Sequence, residues 1–158
     1  MTSTQVARLS ESDWQLFAVV RLRALSDALG ADDPQYRQEA SFTVAQWRRR
    51  LRDHAQFVAF VDGRAVGLVG AQQENLDSVY VYSLWLDPKV RGQGLARPLV
   101  AAAVDWARQQ RVRTVRLRVA SDNARARGVY ESLGFTIVAS ENVEDTEELA
   151  MSLSLSVS

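Results

Sequence analysis

Arg91-Gly92-Gln93-Gly94-Leu95-Ala96 lies between an apolar run ending at Leu86 and a periodic apolar stretch opening at Leu95. Glycines let the backbone take unusual angles and come close to a ligand. The free N–H groups of a helix start, helped by the helix dipole, then suit a phosphate. Arg91 adds a cation. The same spelling also serves a strand-to-helix turn with no ligand, and the loop alone leaves both readings open. Two other phosphate loops are excluded by spelling. A dinucleotide fingerprint begun at Gly92 needs Gly or Ala where Arg97 stands. A P-loop needs Gly-Lys-Ser/Thr, and no glycine here precedes lysine. Further on, Asn123 and Tyr130 stand seven residues apart, about 20° short of two helical turns, so they share one helix face. Ala126 between them is small enough for a ligand to lie close. Taken alone, the pair also reads as a cap-region asparagine and a half-buried core aromatic.

Composition removes other chemistries. The 158 residues include no cysteine, which excludes disulfides, thiolate zinc sites and a cysteine nucleophile. His54 is the single histidine, so a two-histidine metal site cannot form within one chain, and no metal is expected. Nineteen Lys+Arg balance nineteen Asp+Glu, without the basic excess of a general nucleic-acid binder. No apolar run approaches the ~20 residues of a membrane span, and Met1–Trp14 lacks a signal-peptide apolar region. A cytoplasmic protein without membrane or nucleic-acid partners is expected. The arginines at 48, 49, 50 and 52 and the acidic stretch Glu141, Glu144, Asp145, Glu147 and Glu148 read as a solvated face and a solvated loop. His54, at a helix end, reads as a dipole-stabilised surface residue rather than a base.

The elements that must hold these residues follow from periodicity. Val6–Leu9 reads as a strand. Ser10 caps a helix that runs to Gly30, Asp32-Asp33-Pro34 is a break, and Thr43 caps a second helix ending near Asp53. Gln56–Val61 and Arg64–Gln73 form a hairpin about Asp62-Gly63, and Val79–Leu86 is a further strand. Leu95–Ala107 is helical, Val115–Val119 alternates as a strand, and Ser121–Leu133 is helical. Phe135–Ala139 and Leu149–Leu155 close the order, the alternating Leu149–Val157 segment reading as an edge or dimer strand. This is α+β: a mixed, mostly antiparallel sheet of about seven strands with about four helices, in one domain over residues 1–158.

The two blocks together resemble the GNAT superfamily of acyl-CoA-dependent N-acetyltransferases. Its R/Q-x-x-G-x-G/A signature reads here as Arg91, Gly94 and Ala96. Its second signature reads as Asn123, Ala126, Val129, Tyr130, Gly134 and Phe135, and Leu84-Trp85-Leu86-Asp87-Pro88 is similar to the family's strand ending. The resemblance implies a sheet splayed between its fourth and fifth strands with the arm of acetyl-CoA in the split. It implies that the backbone of Leu84, Trp85 and Leu86 bonds that arm. The N–H groups of Gly92, Gln93, Gly94, Leu95, Ala96 and Arg97 would hold the pyrophosphate. Asn123 and Ala126 would touch the arm, and Tyr130 would lie by the thioester sulfur as general acid. The implied reaction is direct attack of a primary amine on acetyl-CoA, the acceptor being a small molecule or a protein; the alternating last segment leaves a homodimer open. The sequence departs from the family in one respect. Val79-Tyr80-Val81-Tyr82-Ser83-Leu84 carries no carboxylate to take the amine's proton, which leaves open a non-catalytic acyl-CoA sensor with the same fold.

Overall fold

The computed structural model describes residues 3–156. Its seven strands are β1 (Thr4–Arg8), β2 (Ala55–Val61), β3 (Arg64–Gln73), β4 (Ser78–Leu86), β5 (Thr114–Ala120), β6 (Thr136–Val143) and β7 (Thr146–Ser154). They form one sheet in the order β1-β2-β3-β4-β5-β7-β6. Every pairing is antiparallel except β4 with β5. The helices are α1 (Trp14–Leu29), α2 (Pro34–Ala40), α3 (Val44–Asp53), α4 (Ala96–Gln109) and α5 (Ala124–Ser132), with short 3₁₀ turns at Glu11–Asp13 and Pro88–Val90.

Apolar side chains leave both sheet faces and are covered from both sides. Leu99, Val100, Ala103 and Ala107 of α4 pack with Val79, Val81, Val115 and Leu117 on one face. Phe17 and Val20 of α1 and Trp47 and Leu51 of α3 pack with Val58, Leu68 and Trp85 on the other. The alternation expected for β5 appears as Val115, Leu117 and Val119 buried against Arg116 and Arg118 exposed. The cap expected at Thr43 is a complete capping box with Gln46.

Three expectations are corrected. The segment after Asp32 is not only a break: Pro34 sits in the first turn of α2, where its missing N–H costs nothing, and the Asp33 side chain accepts from Gln35 N at 2.8 Å. There are therefore five helices among the described residues rather than about four. The acidic stretch is not a loop. It forms the facing ends of β6 and β7, joined by a two-residue turn in which Glu144 and Asp145 both have positive φ. The C-terminal strand is not an edge either. β7 lies between β5 and β6, and β6 is the edge; Val157 falls outside the described residues.

Two irregularities shape the middle of the sheet. β4 and β5 pair only at Ser78–Thr114, Val79–Val115 and Tyr80–Arg116, after which they diverge in the expected splay. On its other side β4 carries a bulge. Leu68 faces Trp85 and Gly70 faces Tyr82, so β4 spends one residue more than β3, and Ser83 takes φ +55°. Such a bulge interrupts the ladder and re-aims the groups around it.

Candidate functional site

The splay opens a chain of cavities through the sheet. A cavity of about 590 Å³ is lined by Leu84, Trp85, Leu86, Arg91, Ala96, Asn123 and Ala126, together with Asp27, Ala28, Arg125 and Val129. A second, of about 250 Å³, shares Leu84, Asn123 and Ala126 with it and adds Ser83, Tyr82 and Tyr130. A third, of about 330 Å³, shares Tyr82 and Ser83 with the second and is walled by Arg21, Glu39, Arg50, His54 and Tyr80. The shared residues make the bulge of β4 the meeting point of two larger spaces.

The glycine loop borders the first space. Gly92 and Gly94 have φ of +82° and +80°, a region costly for side chains with a Cβ. The N–H groups of Gly92, Gln93, Gly94 and Leu95 have no backbone partner among the described residues, and α4 begins at Ala96 with its own free N–H groups. Leu95 itself is in the core, so it can offer a ligand only its backbone. Arg91 is already engaged. Its Nε donates to Leu86 O at 3.0 Å and its Nη2 to Asp27 Oδ2 at 2.6 Å. Asp27 also accepts from Trp85 Nε1 at 2.9 Å. These bonds, Trp85's first and Arg91's next, hold the Asp27 carboxyl below its ordinary range. Trp85 thus turns its indole N–H toward Asp27 on α1. Arg97 Nε reaches Ser132 Oγ at 3.3 Å.

Arg125, which the sequence reading passed over, is the cation without a partner at this cavity among the described residues. A Cβ built on Gly92 would stand 3.9 Å from its Nη1, so it overhangs the loop. Its signal was its place inside the second block, two residues after Asn123. Asn123 caps a helix and borders the split. Its Oδ1 caps α5 by accepting from Ala126 N at 3.2 Å, and its side chain lines two of the cavities.

Tyr130 is 6% exposed and its ring packs edge-on to Phe135. Burial, then the neighbouring Tyr80, pushes the phenol up to about 12. At that value it is a hydrogen-bond donor through the whole neutral range. Gly92, Gln93, Gly94, Leu95 and Arg97 lie along the loop outside the lining of the cavities, and Tyr130 lines only the middle one.

On the far side, Arg21 and Glu39 form a buried pair, Nε to Oε1 at 2.9 Å and Nη2 to Oε2 at 3.1 Å. Gln35 donates to the same carboxylate at 3.1 Å and Arg50 stands at 3.8 Å. Burial alone would raise the Glu39 carboxyl, but the Arg21 bond and charge, with Gln35 and Arg50, hold it below its ordinary range. His54 is not the simple surface residue expected. It is half-buried at the end of α3, with Nδ1 2.5 Å from Tyr82 Oη. Burial and then the Arg50 charge lower its pKa, against an opposing pull from Asp53. Gln56 Nε2 donates to the same Tyr82 oxygen at 2.7 Å.

Among the described residues no three His, Cys, Asp or Glu side chains group as metal ligands, and no helix is long and apolar enough to cross a membrane. The Acetyltransferase (GNAT) family profile matches residues 22–135. A mycothiol acetyltransferase of Thermobispora bispora is 36% identical over 126 residues, covering 72% of this chain and 41% of that protein. The chain spans less than half the length of the first curated relatives it matches. Among solved structures, the ribosomal-protein-S18-alanine N-acetyltransferase of Escherichia coli superposes with TM-score 0.73 at 21% identity, over 99% of this chain and 96% of that one. The yncA protein of Salmonella typhimurium, solved with its cofactor acetyl-CoA, superposes with TM-score 0.74 at 18% identity, over 98% and 95%. The matched span covers both the glycine loop and the Asn123–Phe135 block, and the chain belongs to the GNAT family of acetyltransferases.

Proposed function

We propose that this chain is one acetyltransferase domain that moves an acetyl group from acetyl-CoA to a primary amine by direct attack while both are bound. The observation that carries the reading is the pair of spaces meeting at the bulge of β4. One side takes the donor and the other the acceptor. Holding two reactants face to face supplies much of the rate of such a transfer.

The residues fit acetyl-CoA as the donor substrate. The β5-facing edge of Val81–Leu86 has lost its strand partner, so its backbone can pair with the amides of the donor's arm. The free N–H groups from Gly92 to Arg97 suit the pyrophosphate, and Arg125 supplies the charge that Arg91 has given to Asp27. Asn123 and Ala126 line the arm. A backbone N–H freed by the bulge can polarise the thioester carbonyl. Tyr130 reaches the sulfur as a hydrogen-bond donor, which steadies the thiolate as the C–S bond breaks. The acceptor is a small amine or a protein amino group, in line with the two kinds of acceptor named for its relatives. A cytoplasmic location accords with acetyl-CoA as donor.

The test has two arms. A thermal scan with acetyl-CoA at a hundredfold excess over Kd should show ~2.7 kcal/mol of added stability. Thiol release from acetyl-CoA should then be followed across a panel of amino acids, polyamines, amino sugars and short peptides with free N-termini. A thermal shift with no release for any amine would favour the acyl-CoA sensor. No shift at all would remove the donor site.

A further inference from the structure

The acceptor side holds four groups that can take a proton: Glu39, Tyr80, Tyr82 and His54. Glu39 is spent, since both its oxygens accept from Arg21, with Gln35 and Arg50 alongside. Tyr80 stacks on Tyr82 at 6.4 Å and has no side-chain hydrogen bond among the described residues. Tyr82 differs from both. Its oxygen accepts from Gln56 Nε2 and stands 2.5 Å from His54 Nδ1, so with the His54 ring protonated on Nε2 the Tyr82 proton points to Nδ1. That arrangement leaves one lone pair of Tyr82 facing the cavity beside Ser83, where the two spaces meet.

Resting on the acetyltransferase reading above, we propose that Tyr82 is the catalytic residue that takes the acceptor amine's proton, passing its own proton to His54 Nδ1. As the amine nitrogen bonds the thioester carbon, an N–H proton moves to Tyr82 Oη and the Tyr82 proton moves to His54. The C–S bond breaks with its electron pair on sulfur, and the thiolate, held by the Tyr130 hydroxyl, takes a proton from solvent. His54 becomes an imidazolium and loses the extra proton to solvent when product leaves. Tyr82 remains a neutral phenol before and after the step, which accords with burial raising its pKa. His54 acts through Tyr82 and is a positioning residue. Burial and the Arg50 charge lower its pKa and so favour the neutral ring that can accept a proton. The charged and titratable groups around it are Arg49, Arg50 and Asp53 on α3, Tyr82 and Tyr80 on β4, Arg21 on α1 and Glu39 on α2. This relay supplies what β4 lacks as a carboxylate.

A single histidine makes the test direct, because the imidazole signals of the ¹⁵N-labelled full chain belong to His54 alone. The expected result is a neutral ring at pH 7 protonated on Nε2, with a pKa below about 6.5, and a change of tautomer balance in Tyr82→Phe. A ring protonated mainly on Nδ1, or a pKa above about 6.5, overturns the relay. With the amine that gives the fastest thiol release, Tyr82→Phe should lower kcat/KM by ~10²-fold with acetyl-CoA affinity unchanged. His54→Gln, which can still accept from Tyr82 but cannot titrate, should lower the rate and erase the acid limb due to His54. Unchanged kcat/KM in Tyr82→Phe overturns this assignment alone. No release with any amine, while acetyl-CoA still binds, overturns the acetyltransferase reading and this assignment with it.

Discussion

Gly70→Ala is a minimal change with a large expected effect. Gly70 on β3 lies under the Tyr82 ring, and a Cβ there would stand 2.5 Å from Cζ, 2.7 Å from Cε2 and 2.9 Å from Oη. Carbon atoms settle at ~3.5–4.0 Å, so the ring must move out by roughly 1 Å. It cannot do so and keep its hydroxyl 2.5 Å from His54 and 2.7 Å from Gln56. Overpacking costs ~1–3 kcal/mol and each lost hydrogen bond ~0.5–1.5 kcal/mol. The total is about 3 kcal/mol, or a Tm lower by about 6–12 °C for a chain of this length. Thermal unfolding followed by circular dichroism measures it. A double-mutant cycle isolates the cause: in a Tyr82→Ala background, Gly70→Ala should cost less than ~1 kcal/mol. Acetyl-CoA affinity should survive, because Gly70 lines none of the donor-side space. An unchanged Tm in Gly70→Ala, or the same loss in both backgrounds, would refute the ring contact as the reason for glycine here.

Other outcomes follow from the site. Tyr130→Phe should keep acetyl-CoA affinity within a few-fold and lower kcat by ~10²-fold; wild-type turnover would remove Tyr130 from the chemistry. Because Tyr130 titrates at about 12 in the fold and ~10 when unfolded, its contribution to stability is complete below pH ~10 and fades as pH rises through about 12. Base titration of Tyr130→Phe should lack that component. Gly94→Val should abolish acetyl-CoA binding while the protein still folds, since no atom lies within 4 Å of the added Cβ but φ is +80°; unchanged affinity by calorimetry would reduce the loop to a turn. Glu39→Gln leaves Arg21 buried without a counter-charge and should cost ~3–5 kcal/mol. In the parent protein the Glu39 contribution is present above the ordinary carboxylate pKa and is lost as pH falls through its lowered folded value. Urea midpoints against pH should therefore lose that acid-side step in the variant.

What could be read in advance was local. The Thr43–Gln46 capping box, the Asp62-Gly63 turn, the glycine loop and the Asn123–Tyr130 spacing each act within a few residues, so spelling carries them. The misreadings were of two kinds. Asp32-Asp33-Pro34 spells both a break and a helix start, and α2 is mostly polar, so no apolar stripe announced it. Its reason for existing is Glu39, whose partner Arg21 is eighteen residues away on another helix. The His54–Tyr82–Gln56 cluster is likewise assembled across the sheet, from the end of α3, from β2 and from β4 with β3 between them, and nothing local marks it. The altered acidity of Tyr130 comes from burial, which a one-dimensional pattern does not contain. The acidic hairpin was hidden because charges at β6 and β7 leave no alternation to follow.

The sheet is in effect two ribbons, β1–β4 and β5–β7–β6, sewn together by three residue pairs at one end and by α4 across one face. Amide protons on the open β5-facing edge from Val81 to Leu86 should exchange with solvent deuterium far faster than those of β2 and β3. A donor arm laid in the split would act as an extra strand and slow that exchange. The protein would then become a mechanically continuous sheet only while loaded, and stiffness itself would report occupancy.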